Sequence, residues 1–315
     1  MISVSFFYMV NSIMTEEKSK NIIDTESPKV ANHLISRIGL GFIEPSLRSS
    51  FFLFEENIQY LNIFKDIPAI ILNKYSDKEY KLKTAFLTPY HWDAFDCIER
   101  SIIDCMCTQY SASFTLLRMS FEMVLKGAFW QSMFNAQHRD NTQVLNEDKK
   151  TLNVLAKFKE EINDPNFNFN VSASIYDLKS VSSLKFNNSK TLKQISEWGI
   201  THPFNNVEEE VYEIYRYLCN YSHAHHDFTD TGTFITYKDK FLEREIVSEK
   251  LVEFNHILSN LLDFYIVLEL QIFKDLICNN VNLKMTEITS QLDSKTTSLC
   301  RTMTLLDELI PNTEL

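Results

Sequence analysis

SEKLVEFNHILSNLLDFYIVLELQIFKDLIC, residues 248–278, is the stretch that decides the fold. Wound as a helix, it carries apolar side chains on nearly every side, so it is expected to lie buried at the centre of the molecule. The rest of the chain agrees with a helical core. Only 5 Gly and 7 Pro occur in 315 residues, whereas sheet-rich folds and phosphate-cradling loops use glycine wherever the backbone turns tightly or meets a ligand. With 44% hydrophobic residues, 24 Phe and 13 Tyr among them, the expectation is an all-α bundle of long antiparallel helices with an aromatic core.

Upstream of that helix the signals are local. Thr88-Pro89 places a cap residue before a proline suited to a first helical position, and apolar residues then recur through Phe95, Ile98, Ile102 and Met106. A second helix runs from Phe114 to Phe134. A polar loop is expected at 138–150, a helix near 150–162 ending at Asp164-Pro165, and irregular structure over 166–188. Asn206 and Glu209 make a capping-box-like start for a helix over 207–222. Asp230 to Thr233 reads as a turn, and Thr233–Tyr237 with Leu242–Val247 leaves room for a small β ribbon near 233–247. Three regions follow: short elements over 1–85, including Phe51–Phe54 and Ile70–Leu72, a helical core over 86–280, and an amphipathic helix over 281–315. In that tail Met285, Leu292, Leu299 and Leu306 recur every seven residues, which suits a partner helix or short coiled coil.

A net charge of −11 argues against broad adhesion to nucleic acid, though not against one local basic site. The 6 Cys form no paired framework and read as reduced thiols. Residues 1–14 are apolar but lack a basic start and a small-residue cleavage site, and are too short to span a bilayer. The expectation is a cytoplasmic, non-membrane protein, whether translation starts at Met1 or Met14.

Two constellations stand out. On the helix over 111–133, Phe114, Phe121, Leu125 and Phe129 lie within about 60° of Arg118, and Glu122 follows one turn later. An Arg–Glu pair on an aromatic face costs desolvation, so it either fixes helix register or belongs to a site. The second is Tyr212-Glu213-Ile214-Tyr215-Arg216-Tyr217-Leu218-Cys219-Asn220-Tyr221-Ser222-His223. Val207, Val211, Ile214, Leu218 and Tyr221 form its buried stripe. Arg216 and His223 stand opposite, about 20° apart, joined by Glu209, Tyr212 and Asn220. A histidine with an arginine two turns away suits RNA cleavage without metal or cofactor: His223 takes the 2′-hydroxyl proton and Arg216 stabilises charge on the phosphate.

Arg216 and His223 in the pattern R-x6-H, within an all-helical chain, resemble the signature of the HEPN superfamily, the higher eukaryote and prokaryote nucleotide-binding helical domains. Leu117–Glu122 and Tyr215–His223 also resemble uncharacterised bacterial helical proteins that carry an R-x3-E helix and a later Y-x-x-L-x-x-Y-S-H segment. The resemblance spans roughly residues 90–280. It implies an endoribonuclease acting as a homodimer whose two motifs share a cleft, often in toxin or antiphage roles. Arg118 and Glu122 would position the motif helix, and Asn220 and Tyr212 would orient RNA. Tyr217 stands where many members carry Asn or Asp after the arginine, so a degenerate relative is the companion reading.

The sequence also offers two rival chemistries. His223, His225, His226 and Asp227 offer four potential metal ligands within five residues, but consecutive positions fan apart, and Glu253-x-x-His256 is a single copy of a motif that di-iron bundles use twice. Cys219 lies one turn from His223 with nothing else to mark a thiolate. The non-enzymatic alternative is a helical interaction or nucleotide-sensing module, with the C-terminal helix as a protein-binding element.

Overall fold

The computed structural model describes residues 40–72, 86–134, 187–223, 225–239, 245–274 and 299–309, with single positions at 157, 160 and 164. The chain divides into two units, Met1–Ser49 and Ser50–Leu315. Of the first, residues 40–49 are described, and they are helical. The other described residues belong to the second unit. The predicted loop at 138–150, the helix near 150–162, most of the 166–188 stretch and the tail before Leu299 lie outside the described residues.

Among the described residues there are eight α-helices and no strand, so the protein is an all-α bundle. The helices are α1 (Leu40–Leu72), α2 (Leu87–Met106), α3 (Tyr110–Phe134), α4 (Asn188–Glu197), α5 (Glu213–Ser222), α6 (Asp230–Lys238), α7 (Ser248–Ile272) and α8 (Cys300–Leu309). A π-helical turn, Glu208–Tyr212, leads into α5, and a 3₁₀ turn, His226–Phe228, follows it. Phe51–Phe54 and Ile70–Leu72 belong to one 33-residue helix, α1, and not to separate short elements.

α2 and α3 form an antiparallel hairpin turned at Cys107–Gln109, where Thr108 takes a left-handed φ of 62°. Gly127 lets the two backbones close, since a Cβ there would stand 2.9 Å from that of Tyr90. α2 starts at Leu87, and Gln131 of α3 accepts from the backbone N–H of Phe86 (3.1 Å) and Leu87 (3.3 Å). The cap of this helix therefore comes from its neighbour.

α7 is buried throughout 261–270, as its all-round apolar pattern predicts. It is long and apolar enough to cross a membrane, yet 67% of its most apolar window is buried by the rest of the fold, which is the signature of a core helix. Rings tie it to its neighbours: Phe54 and Phe114 meet Phe254, Phe64 meets Tyr265, and Phe121 stacks with Phe264. These pairs make α1, α3 and α7 run parallel. α5 runs against them, with Tyr215 stacked on Phe121 at 4.9 Å and Tyr221 on Phe114 at 4.2 Å.

One predicted element changes character. Thr233–Tyr237 is helical, within α6, and not half of a β ribbon. The Thr229 hydroxyl accepts from Gly232 N–H at 3.0 Å and starts the helix, and Asp239 ends it in a left-handed conformation with φ 52°. That capping overrides the β-propensity of Thr-Phe-Ile-Thr-Tyr. Val247 is extended, and residues 245–247 have no partner strand among the described residues. In the tail, Leu299, Leu305, Leu306 and Leu309 are buried, and α8 packs on α7. The buried carboxylate of Asp263 on α7 accepts from the N–H groups of Arg301 (3.3 Å) and Thr302 (2.9 Å), capping α8.

Candidate functional site: the two sides of α5

α5 is built over a widened first turn. Asn206 N–H donates to the Glu210 carboxylate at 3.0 Å, while Glu209 N–H reaches Asn206 Oδ1 at 3.4 Å. The capping box thus closes through Glu210 and not Glu209, because π winding shifts the first turn by a residue. Glu210 is also held by Arg301 of α8. The same widening resets the buried stripe to Val207, Val211, Tyr215, Leu218 and Tyr221. Ile214, predicted in that stripe, is half-buried, and Tyr215 takes its place.

On the α3 side, Arg118 Nη2 meets Glu122 Oε1 at 2.8 Å, with about a quarter of each side chain exposed (26% and 24%). The same carboxylate oxygen accepts from Tyr215 Oη at 3.0 Å, and Asn188 Nδ2 of α4 donates to Tyr215 Oη at 2.5 Å. Burial, followed by the Glu122 charge, pushes the Tyr215 phenol well above its usual range, so it stays protonated and can donate. Burial disfavours the Arg118 charge, but Tyr215 and Glu122 outweigh it and raise its pKa. Arg118 Nε finds no hydrogen-bond partner among the described residues. This cluster locks α3, α4 and α5 in one register.

The opposite side is open. Arg216 and its partner Glu213, 2.6 Å away, are mostly exposed (62% and 52%). His223 caps the C-terminus of α5, exposed and without a hydrogen-bond partner among the described residues. Asn220 is half-buried, and half-buried Tyr212 stacks on Tyr215 at 5.7 Å. The two pairs therefore do not converge: Arg118 and Glu122 engage the buried edge of α5, while Arg216 and His223 stand on its solvent side.

The candidate metal ligands do not gather either. His225, His226 and Asp227 are exposed, His226 lies 3.4 Å from Asp227, and the His225 ring faces Phe228. No group of three His, Cys, Asp or Glu side chains among the described residues could hold a metal ion. Glu253 engages Lys250, and exposed His256 engages Asn260.

Two polar clusters escaped the sequence reading. Lys250 and Glu253, at i,i+3 on α7, join Tyr217 and Tyr221 of α5; that spacing was a usable signal. His91 is wholly buried with its Nδ1 2.7 Å from Glu269. Those partners lie 178 residues apart, and no local pattern joins them. Comparison of the chain with protein families, characterised proteins and solved structures finds no match.

Proposed function

We propose that this protein is a metal-independent endoribonuclease of the HEPN type, acting through Arg216 and His223 and completed when two copies bring these ends of α5 together. The supporting observation is the division of α5: one side is pinned by Glu122, Asn188 and the aromatic core, and the other presents Arg216 and His223 to solvent. His223 takes the proton of a 2′-hydroxyl, the 2′-oxygen attacks phosphorus, and the 5′-oxygen leaves and is protonated by solvent. Arg216 stabilises the charge on the phosphate oxygens. An exposed pair such as Arg216–Glu213 contributes at most about 1 kcal/mol, so exchanging Glu213 for phosphate costs little.

A second reading, a non-catalytic helical interaction module, draws on the separation of Arg118–Glu122 from exposed Arg216 and His223 and on Tyr217. Its hydroxyl is engaged by Glu253 and its ring packs on Phe228, so the residue after Arg216 serves packing and not RNA.

RNA cleavage in EDTA, comparing wild type with His223→Ala and Arg216→Ala and checking each fold by circular dichroism, separates the readings. The nuclease should leave cyclic-phosphate ends and lose about 10²- to 10⁴-fold in rate in the His223 variant, with a comparable loss on removing Arg216. Cleavage abolished by EDTA would sink this mechanism. No cleavage by wild-type protein, alone or concentrated, would favour the interaction module.

A further inference from the structure

The last turns of α5 rest on a closed ring of hydrogen bonds. Lys250 Nζ, on a side chain only 6% exposed, donates to Tyr221 Oη at 2.9 Å and to Glu253 Oε2 at 2.8 Å. The other Glu253 oxygen accepts from Tyr217 Oη, and the two tyrosine hydroxyls lie 3.2 Å apart. With Tyr217 Oη donating to Glu253, the Tyr221 hydroxyl donates to Tyr217, so the ring has one direction: Lys250 to Tyr221 to Tyr217 to Glu253, closed by the ion pair. Fully satisfied networks of this kind rigidify the groups they join. The ammonium also lies 5.8 Å from the Phe114 ring of α3 and 5.8 Å from the Tyr237 ring of α6, distances at which a cation and a ring attract.

The segment after His223 depends on this ring. Phe228 sets its edge against Tyr221 (5.0 Å) and Tyr217 (5.6 Å). Behind it, Phe228 N–H donates to His225 O at 2.9 Å, and the Thr229 hydroxyl donates to His226 O at 2.9 Å. Gly232 permits that turn, since a Cβ there would collide with the His226 carbonyl. The two tyrosines that seat Phe228 lie within the motif, one directly after Arg216 and one two residues before His223.

We infer that Lys250 is a positioning residue for the Arg216–His223 site, fixing the end of α5 and the 225–229 turn through Tyr221, Tyr217 and Glu253. The inference rests on the proposed function for its catalytic meaning, but its structural content can be tested separately. It also gives Tyr217 a role: the hydroxyl supplies one link of the ring that aims its neighbours.

The test uses the full-length protein with ¹³C-labelled histidine, as wild type, Lys250→Met and Tyr217→Phe. Amide exchange over 225–229 should quicken at least about tenfold in both variants, and the His223 ring signal should move. The His202 signal, from a ring held by Glu308 elsewhere on the surface, should stay. If wild type cleaves RNA, Lys250→Met should lower kcat with KM little changed. Should Lys250→Met fail to fold, Tyr217→Phe, which keeps the ring and removes one link, decides alone. Unchanged exchange over 225–229 together with an unchanged His223 signal would overturn the inference, leaving Lys250 as core packing. Absence of RNA cleavage by wild type would overturn the function proposal alone, since exchange and ring signals still report the positioning.

Discussion

Glu269 shows how a single side chain can carry pH dependence into a core. It is fully buried against His91, whose ring lies 4.3 Å from that of Phe64, and among the described residues its Oε2 and His91 Nε2 have no hydrogen-bond partner. Burial raises the Glu269 carboxyl above its usual range, with His91 opposing. The folded state therefore holds this proton more tightly than the unfolded chain, whose glutamates titrate near about 4.3. By linkage, the contribution to stability is fully present below that value and is lost as pH rises through the raised folded value. Glu269→Gln keeps an acceptor for His91 and cannot titrate. Urea denaturation of both proteins should show wild type gaining on the variant as pH falls and losing ground as pH rises. Glu269→Ala strands His91 and opens a cavity, and should cost about 3 kcal/mol at neutral pH. The sequence could not reveal this pair, because contact across 178 residues leaves no periodicity. Arg118 and Glu122 were legible because helical spacing alone brings them together.

At the scale of elements, three helix starts are capped from elsewhere in the fold. Gln131 serves α2, Asp230 serves α3 through Ser111 N–H at 2.8 Å, and Asp263 serves α8. Such caps are invisible locally, and this explains why element types were easier to read than their ends. The missed helix α6 has a related cause: Thr229 is a good cap, but the strand-like run after it dominates a local reading. The π turn before α5 was hidden likewise, because Asn206, Glu209 and Glu210 fit either winding, and its displacement of Ile214 by Tyr215 put the wrong residue in the stripe. Asp263 offers the clearest test. Its carboxylate takes two backbone N–H groups and the Thr302 hydroxyl at 2.7 Å. Asp263→Ala should destabilise by about 2 kcal/mol or more. Amides over 300–309 should lose protection first in hydrogen exchange, with those of α2 and α3 following only near global unfolding.

For the whole molecule, net charge limits how the proposed site can engage RNA. At −11 the chain repels a polyanion at long range, so binding must rest on the few cations at the α5 end. One Arg216 from each of two copies would neutralise about two phosphates. At about −0.7 per phosphate on a single strand, log K should fall against log salt with a slope near −1.4. A slope several times steeper would place RNA on a basic tract other than this end of α5. The same architecture sets the kinetics. Among the described residues Arg216 and His223 are exposed on one side of α5, and the proposal has two copies supply the cleft. If two copies form the cleft, then below the dissociation constant of that pair the dimer population grows with the square of protein concentration. Cleavage rate should therefore rise quadratically at low concentration and become linear once pairing saturates, with the crossover matching the dimerisation constant from sedimentation. A rate linear throughout, with the protein monomeric by sedimentation, would assign the chemistry to one copy and end the shared-cleft proposal.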